Sequence, residues 1–136
     1  MGSRRKARIL AMQALFSWEV SKTPLEDLLG FAWTNDPKQE DDSIAFARLL
    51  VAGTVENIAQ VDAAISAHLE HWEIGRVAKV DLAILRTGAY ALLFQRDIPV
   101  SVTIDEAIDI AKEFGSDESY RFVNGVLDAI KKHLPA

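Results

Sequence analysis

Apolar residues recur three and four positions apart along most of the chain, the spacing of helices that each bury one face. Alternation with period two appears only in the brief VSVTI of residues 100–104. From Ser3, a candidate cap, a first helix is predicted to about Val20. Ala7, Leu10, Ala11, Ala14, Leu15 and Trp18 line one side of it, and Ile9, Met12, Phe16 and Val20 much of another. Two apolar sides mean burial on both, or a partner surface. Thr23-Pro24 marks a second start, with Thr as N-cap, Pro at the first helical position and Glu26 closing a capping box. Leu25, Leu28, Leu29 and Ala32 would face inward, and the helix fades near Trp33. Residues 34–42, TNDPKQEDD, read as a polar surface loop. A long helical pattern follows from about Ser43, with Phe46, Leu49, Leu50 and Gly53 on one side. It breaks near Asn57 and resumes through Ile58, Val61, Ile65 and Leu69. The next joint lies in HWEIGR, residues 71–76. A fifth helix covers about residues 78–95, with Val80, Ile84, Thr87, Ala91 and Phe94 on one face. Residues 96–100 connect onward, and Pro99 blocks any continuation.

The final stretch, residues 101–130, reads as two helices and one short joint. Thr103 and Glu106 have the spacing of a capping box, and Ile104, Ala107, Ile108 and Ala111 form an apolar stripe ending at Phe114. Gly115 falls where a left-handed C-terminal cap is expected. Ser116 would cap the last helix, with Asp117 and Glu118 in its first turn, where the macrodipole favours negative charge. Phe122, Val123, Val126, Leu127 and Ile130 supply its buried face. Asn124-Gly125 breaks the local rule, because a mid-helix Gly costs about 1 kcal/mol relative to Ala. Two readings stand: a close helix crossing that needs a small residue, or a place where a ligand backbone approaches while the Asn amide bonds to it. The pattern as a whole predicts an all-α fold of about seven helices in one compact domain, residues 1–136.

Composition narrows the class without naming a function. A 136-residue chain with 49% apolar and 26% charged residues is long enough for one real core. No apolar run approaches the ~18 residues of a membrane span, and no apolar stretch of the signal-peptide kind follows the basic N-terminus. The expected setting is therefore the cytoplasm, away from membranes. There is no cysteine, which excludes disulfides and thiol chemistry. The net charge of −5 is unevenly spread: Arg4, Arg5, Lys6 and Arg8 precede every acidic residue, so the rest sets eleven basic against twenty acidic side chains, −9. Cations at a helix N-terminus oppose the macrodipole, so stability alone would not select them. An anion-binding role is the sharper reading, and a solvated tail the plainer one.

A search for catalytic chemistry finds little. The chain carries no Gly-rich phosphate loop, nucleophile elbow or HExxH, and no enzyme activity or cofactor is expected. His68 and His71, with Glu70 and Glu73 nearby, have a spacing open to a metal, but a third convergent ligand is wanting and helix-end histidines are the expectation. Asp105, Glu106 and Asp109 crowd one turn; a solvated helix face is expected there in preference to acid–base work. His133 suits a helix C-terminus. Phe114, Tyr120 and Phe122 interleave with Lys112 and Arg121, the combination that stacks unpaired bases and meets phosphates, while the plainer reading has Phe114 and Phe122 simply in the core. If that joint lies beside the basic end of the first helix, the two make one RNA path.

The stretches RRKARILAMQALFSWE, VDLAILRTGAYALL and DIPVSVTIDEAIDIAKEFGSDESYRFVNGVLDAI together resemble the NusB family of bacterial antitermination factors over nearly the whole chain. The resemblance implies seven helices in two small subdomains and no catalysis. It also implies binding to boxA-containing single-stranded RNA of ribosomal RNA operons, with the ribosomal protein NusE, inside the transcription elongation complex. Carried over by position, the arginine-rich motif falls on Arg4, Arg5, Lys6 and Arg8, and the RNA path near the last helices on Phe122 with Phe114, Arg121 and Asn124. A NusE-facing surface falls on Phe16 and Asp81, where the family often has Tyr and Glu, with Arg86 and Tyr90 further along the fifth helix. The family's domain also occurs fused to RNA cytosine methyltransferases; ending at Ala136, the chain is expected to have no room for that cofactor-binding domain. Two rivals remain: a purely protein-binding helical adaptor, and a duplex-DNA regulator, for which no basic recognition helix is visible. The aromatic face of the first helix could serve a homodimer as well as NusE.

Overall fold

The computed structural model describes residues 2–31, 41–70 and 73–135, with the side chains of residues 2, 3 and 41 outside the description. Among the described residues there are seven α-helices and no strand: α1 (Gly2–Val20), α2 (Leu25–Leu29), α3 (Asp41–Glu56), α4 (Ile58–Ser66), α5 (Lys79–Phe94), α6 (Val100–Phe114) and α7 (Ser119–Lys132), with a single 3-10 turn at Ile74–Arg76. The all-α expectation and the helix count hold. The polar loop expected at residues 34–42 and the inward Ala32 fall largely outside the described residues, although Asp41 and Asp42 already belong to α3; the second helix ends at Leu29 and not near Trp33, with Phe31 in the left-handed region at φ 54°.

One helix organises the rest. In α5 ten of the eleven residues from Leu82 to Leu92 are buried, and it packs against α1, α3, α4, α6 and α7. Burial all round explains why its sequence looks hydrophobic on every side and not along a single stripe. The α1 core residues Ala7, Leu10, Ala11, Ala14 and Leu15 are small or Leu, letting α1 lie close to both α3 and α5. Lys22, in the left-handed region at φ 58°, ends the α1 segment. The break at Asn57 is real: α3 and α4 diverge by 77°, and Asn57 Nδ2 donates to Gly53 O at 2.8 Å. Gly53 itself is the tight crossing of the fold, since a Cβ there would fall 2.2 Å from the Tyr90 ring of α5. Among the described residues no single helix is long and apolar enough to cross a membrane.

The helix starts differ from the sequence reading in a consistent way. Pro99, not Thr103, stands at the N-cap of α6; Val102 and Thr103 donate their N–H groups to its carbonyl at 3.0 and 3.3 Å. Thr103 is buried one turn in, so Glu106 closes no capping box and its carboxylate is left for another partner. Pro24 likewise holds the N-cap position of α2 in place of Thr23, and no side-chain cap forms. Proline needs no N–H at a helix start and brings a suitable φ, which makes a hydroxyl cap dispensable. The helix α1 begins at Gly2, and the Ser3 side chain lies outside the described residues.

The α6–α7 corner also departs from expectation. Gly115 is extended, at φ −91° and ψ −170°, and not left-handed. Space explains the glycine, because a Cβ would sit 2.5 Å from the Ser119 side chain and 2.8 Å from Ala111 O. The last helix starts at Ser119, three residues beyond the expected cap; the Ser116 N–H donates to Ser119 Oγ at 2.9 Å, so the serine bond runs opposite to a cap on Ser116. Asp117 and Glu118 therefore precede the helix. Gly125 overturns the close-crossing reading, as it is exposed and a Cβ there would meet nothing within 4 Å.

Candidate nucleic-acid interface

The α1 core positions anchor that helix, so its basic residues stand on a rigid rod and not on a tail. Their surroundings are more neutral than the sequence suggests. Arg5 grips Glu106 of α6 with two nitrogens, at 3.0 and 2.5 Å, and reaches Asp109 at 2.8 Å. The Glu106 carboxylate bond holds the Arg5 guanidinium protonated, and the same bond pulls the Glu106 pKa below its ordinary value. Arg8 is mostly covered, 3.8 Å from Glu106, and burial pulls its pKa down. Arg4 and Arg8 both lie over the Phe46 ring of α3, at 4.0 and 5.4 Å from its centroid. Lys6 is half-buried. Glu106 and Asp109 are thus not simply a solvated face, as the sequence suggested; they clamp Arg5, while Asp105 alone of the three is exposed without such a role.

The second candidate feature lies at the C-terminal end of α6. Asp109 to Phe114 is five residues, about 7.5 Å along the axis, so the clamp and the aromatic corner share one helix. Phe114 is exposed. Tyr120 lies between Lys112 and Arg121, whose charges stand 5.1 and 5.4 Å from the ring centroid, and Arg121 Nε donates to the Tyr120 hydroxyl at 3.0 Å. Phe122 is half-buried against the core, whereas Arg121, Asn124 and Gly125 form an open stripe on α7. Phe114 ends α6, and Arg121, Phe122 and Asn124 stand in the first two turns of α7, after the short turn at Gly115.

The four residues suggested for a protein partner fare differently. Phe16 is half-buried, with the exposed Val20 one turn further along α1. Asp81 is buried in the first turn of α5. Arg86 is interior: both Asp62 oxygens accept from it at 2.9 Å and Glu19 at 2.7 Å, with the Trp18 ring 5.5 Å away. Burial works against its charge, yet these carboxylates more than offset that and raise its pKa; Arg86 in turn lowers that of Glu19. Tyr90 fills the hollow over Gly53 and stacks on Phe94 at 5.4 Å; burial raises its pKa. His68 meets the His133 ring at 4.9 Å, while His71 lies outside the described residues. Among the described residues no three His, Asp or Glu side chains converge on a metal position.

Sequence reasoning missed a groove of about 1040 Å³ beside the basic turns. Arg4 and Phe46 bound it on one side, Leu49 and Val102 on the others, with Phe94 and Gln95 at the end of α5. Leu49 and Phe94 were expected to face inward, but with Val102 they are between 41% and 51% exposed. The usable signal was surplus: α3 and α5 carry more apolar positions than one buried face needs.

The sequence model of the NusB family matches residues 5–132. The transcription antitermination protein NusB of Treponema pallidum is 52% identical over 130 residues, covering 95% of this chain and 92% of that one. The structure of Thermotoga maritima NusB superposes with a TM-score of 0.88 at 40% identity, over 98% of this chain and 93% of the other. A crystal structure of the antitermination factors NusB and NusE in complex with double-stranded RNA superposes with a TM-score of 0.87 at 28% identity, over 97% and 98%.

Proposed function

The chain belongs to the NusB family, and from that premise we propose that it is a transcription antitermination factor that binds boxA-containing single-stranded RNA together with NusE. It works without catalysis, in the cytoplasm, as an adaptor that brings RNA and NusE to the elongation complex. The observation that carries this reading is the sharing of α6 between two features. Its middle holds the basic turns of α1 through Glu106 and Asp109, and its C-terminal end carries Phe114, which the turn at Gly115 joins to the start of α7 with Phe122 and Asn124.

In this reading Arg4, Arg5, Lys6 and Arg8 attract phosphates, and Phe114 and Phe122 stack unpaired bases while Arg121 and Asn124 bond to them. Base stacking supplies about 1–3 kcal/mol per ring. The acidic body leaves the electrostatic part modest, so a cationic partner would extend the site and couple reciprocally with RNA. Phe16 is the proposed partner contact, with the buried Asp81, Arg86 and Tyr90 supporting α5 behind it.

Phe122→Asp should abolish RNA binding, measured by fluorescence anisotropy, in a protein whose circular dichroism stays helical. Arg5→Ala with Arg8→Ala should weaken all RNAs and flatten the salt dependence. Full RNA affinity in the Phe122 variant would remove the aromatic path. No RNA binding by the wild type, beside partner binding, would leave the protein-adaptor reading in its place.

A further inference from the structure

We propose that Phe46 of α3 is a positioning residue for RNA binding: its ring seats Arg4 so that the guanidinium meets a phosphate at the seam of α1 and α3. The proposal rests on the RNA-binding reading and deepens it, by naming which member of the basic cluster is presented to the strand and what presents it.

The four basic residues are not equivalent once the helices are packed. Consecutive residues of a helix point about 100° apart, and here Arg4 and Arg5 lean on different neighbours. Arg5 turns to α6, where Glu106 and Asp109 accept from it. Arg8 is mostly covered, with the same Glu106 3.8 Å away. Lys6 is half-buried. Arg4 is exposed, and its contact is the Phe46 ring, with the guanidinium carbon 4.0 Å from the centroid. The groove beside this pair is lined by Arg4, Arg5 and Arg8 and also by Asp42, Asp97 and Glu106. Glu106 is engaged by Arg5, and among the described residues neither Asp42 nor Asp97 forms an ion pair with Arg4. The Arg4 donors therefore stay open to an anion.

Phe46 supplies what an exposed arginine on its own lacks. An aromatic face attracts the flat guanidinium and leaves the N–H groups, which lie in the guanidinium plane, without an oxygen acceptor. The seat is fixed, because Phe46 is 8% exposed and belongs to the core where α3 packs on α1. Arg8 lies over the same ring at 5.4 Å, so the ring gathers two of the four cations. This stack exists before RNA arrives, and its own energy cancels from the affinity. What remains is the ordering already done. A long side chain that must be fixed on binding costs about 2- to 12-fold in affinity, and loss of the ring should cost about fivefold. A positioning role of this kind has its own signature: affinity falls while the charge, and with it the salt dependence, stays.

The test is fluorescence anisotropy of a short boxA-like single-stranded RNA at several salt concentrations, with circular dichroism to follow the fold. Phe46→Leu should bind about fivefold more weakly with an unchanged salt slope, because every cation is still present. Phe46→Met should behave alike, its flexible side chain filling the core without a ring. Phe46→Tyr keeps the ring face and should bind within about twofold of the wild type. Arg4→Ala should instead flatten the slope by about 0.7, the share of one phosphate. In the Arg4→Ala background Phe46→Leu should cost less than about twofold, since nothing is left to position. The Arg4 Cδ protons should resonate upfield in the wild type, shielded by the ring, and lose that shift in Phe46→Leu. Full affinity in both Phe46→Leu and Phe46→Met, an equal loss with and without Arg4, or a slope flattened in Phe46→Leu as much as in Arg4→Ala would each overturn the proposal. No binding of this RNA by the wild type would overturn the RNA-binding reading itself, a result separate from binding that is indifferent to Phe46.

Discussion

Releasing Arg5 from its carboxylates should strengthen RNA binding while leaving the fold nearly untouched. Four cations counted from sequence would give a salt slope, log K against log salt, of about −2.8 for single-stranded RNA. In the folded protein Glu106 and Asp109 oppose those four, so two phosphates are effectively neutralised and the slope should be about −1.4. The double variant Glu106→Gln, Asp109→Asn restores about −2.8. With the electrostatic term taken to vanish near 1 M salt, the two added phosphates are worth about 1.4 decades at 0.1 M, roughly 25-fold in affinity. The cost in stability is small, since Arg5 is 40% exposed and screened pairs of this kind contribute about 0.2–1 kcal/mol. Anisotropy titrations at four salt concentrations, with urea unfolding alongside, measure both quantities. Unchanged slope and affinity in the double variant would refute the clamp. The pH dependence follows with a definite sign. Arg5 lowers the folded-state pKa of Glu106, so the pair stabilises above the unfolded carboxylate value, about 4.3, and that stability is lost as pH falls through the folded value. Glu106→Gln should lack this part of the acid-side loss.

Three further outcomes are expected. Arg86→Ala strands Asp62 and Glu19 and should destabilise by about 3 kcal/mol in urea unfolding, near the lower end for a broken buried pair because both carboxylates are a quarter exposed; a loss below about 1 kcal/mol would show that Arg86 is not the interior tie described. Gly53→Ala drives a methyl into the Tyr90 ring and should cost about 1–3 kcal/mol, read as a lower thermal midpoint. Gly125→Ala meets open space and should stabilise α7 by about 0.5–1 kcal/mol, yet weaken RNA binding if a nucleotide backbone passes over it; destabilisation would contradict the placement of Gly125.

The helices were legible because periodicity is local: the break at Asn57, the fifth helix and the seven-helix count all follow from spacing alone. The caps were less so. Thr103-Glu106 and Pro99 compete for one helix start, and only the folded chain reveals that Glu106 is engaged elsewhere. Its partner Arg5 lies 101 residues away, beyond any pattern in the sequence. The basic cluster could be found, but its partial neutralisation could not. The same holds for exposure on crowded helices. Leu49 and Phe94 match the inward stripes of α3 and α5, yet neighbouring helices cover only part of each stripe, and the uncovered ends make the groove. Arg86 carried the opposite signal, a charge on an apolar helix that invites a surface role, and it proves to be held by two carboxylates inside.

The central claim is tested most directly by anisotropy of a short boxA-like RNA titrated with this protein, with and without NusE, beside a scrambled RNA of equal length. The account predicts tighter binding to the boxA-like RNA than to the scrambled one, and a further gain when NusE is present. Equal binding to both RNAs, unaffected by NusE and obtained with a protein shown to be folded, would contradict it.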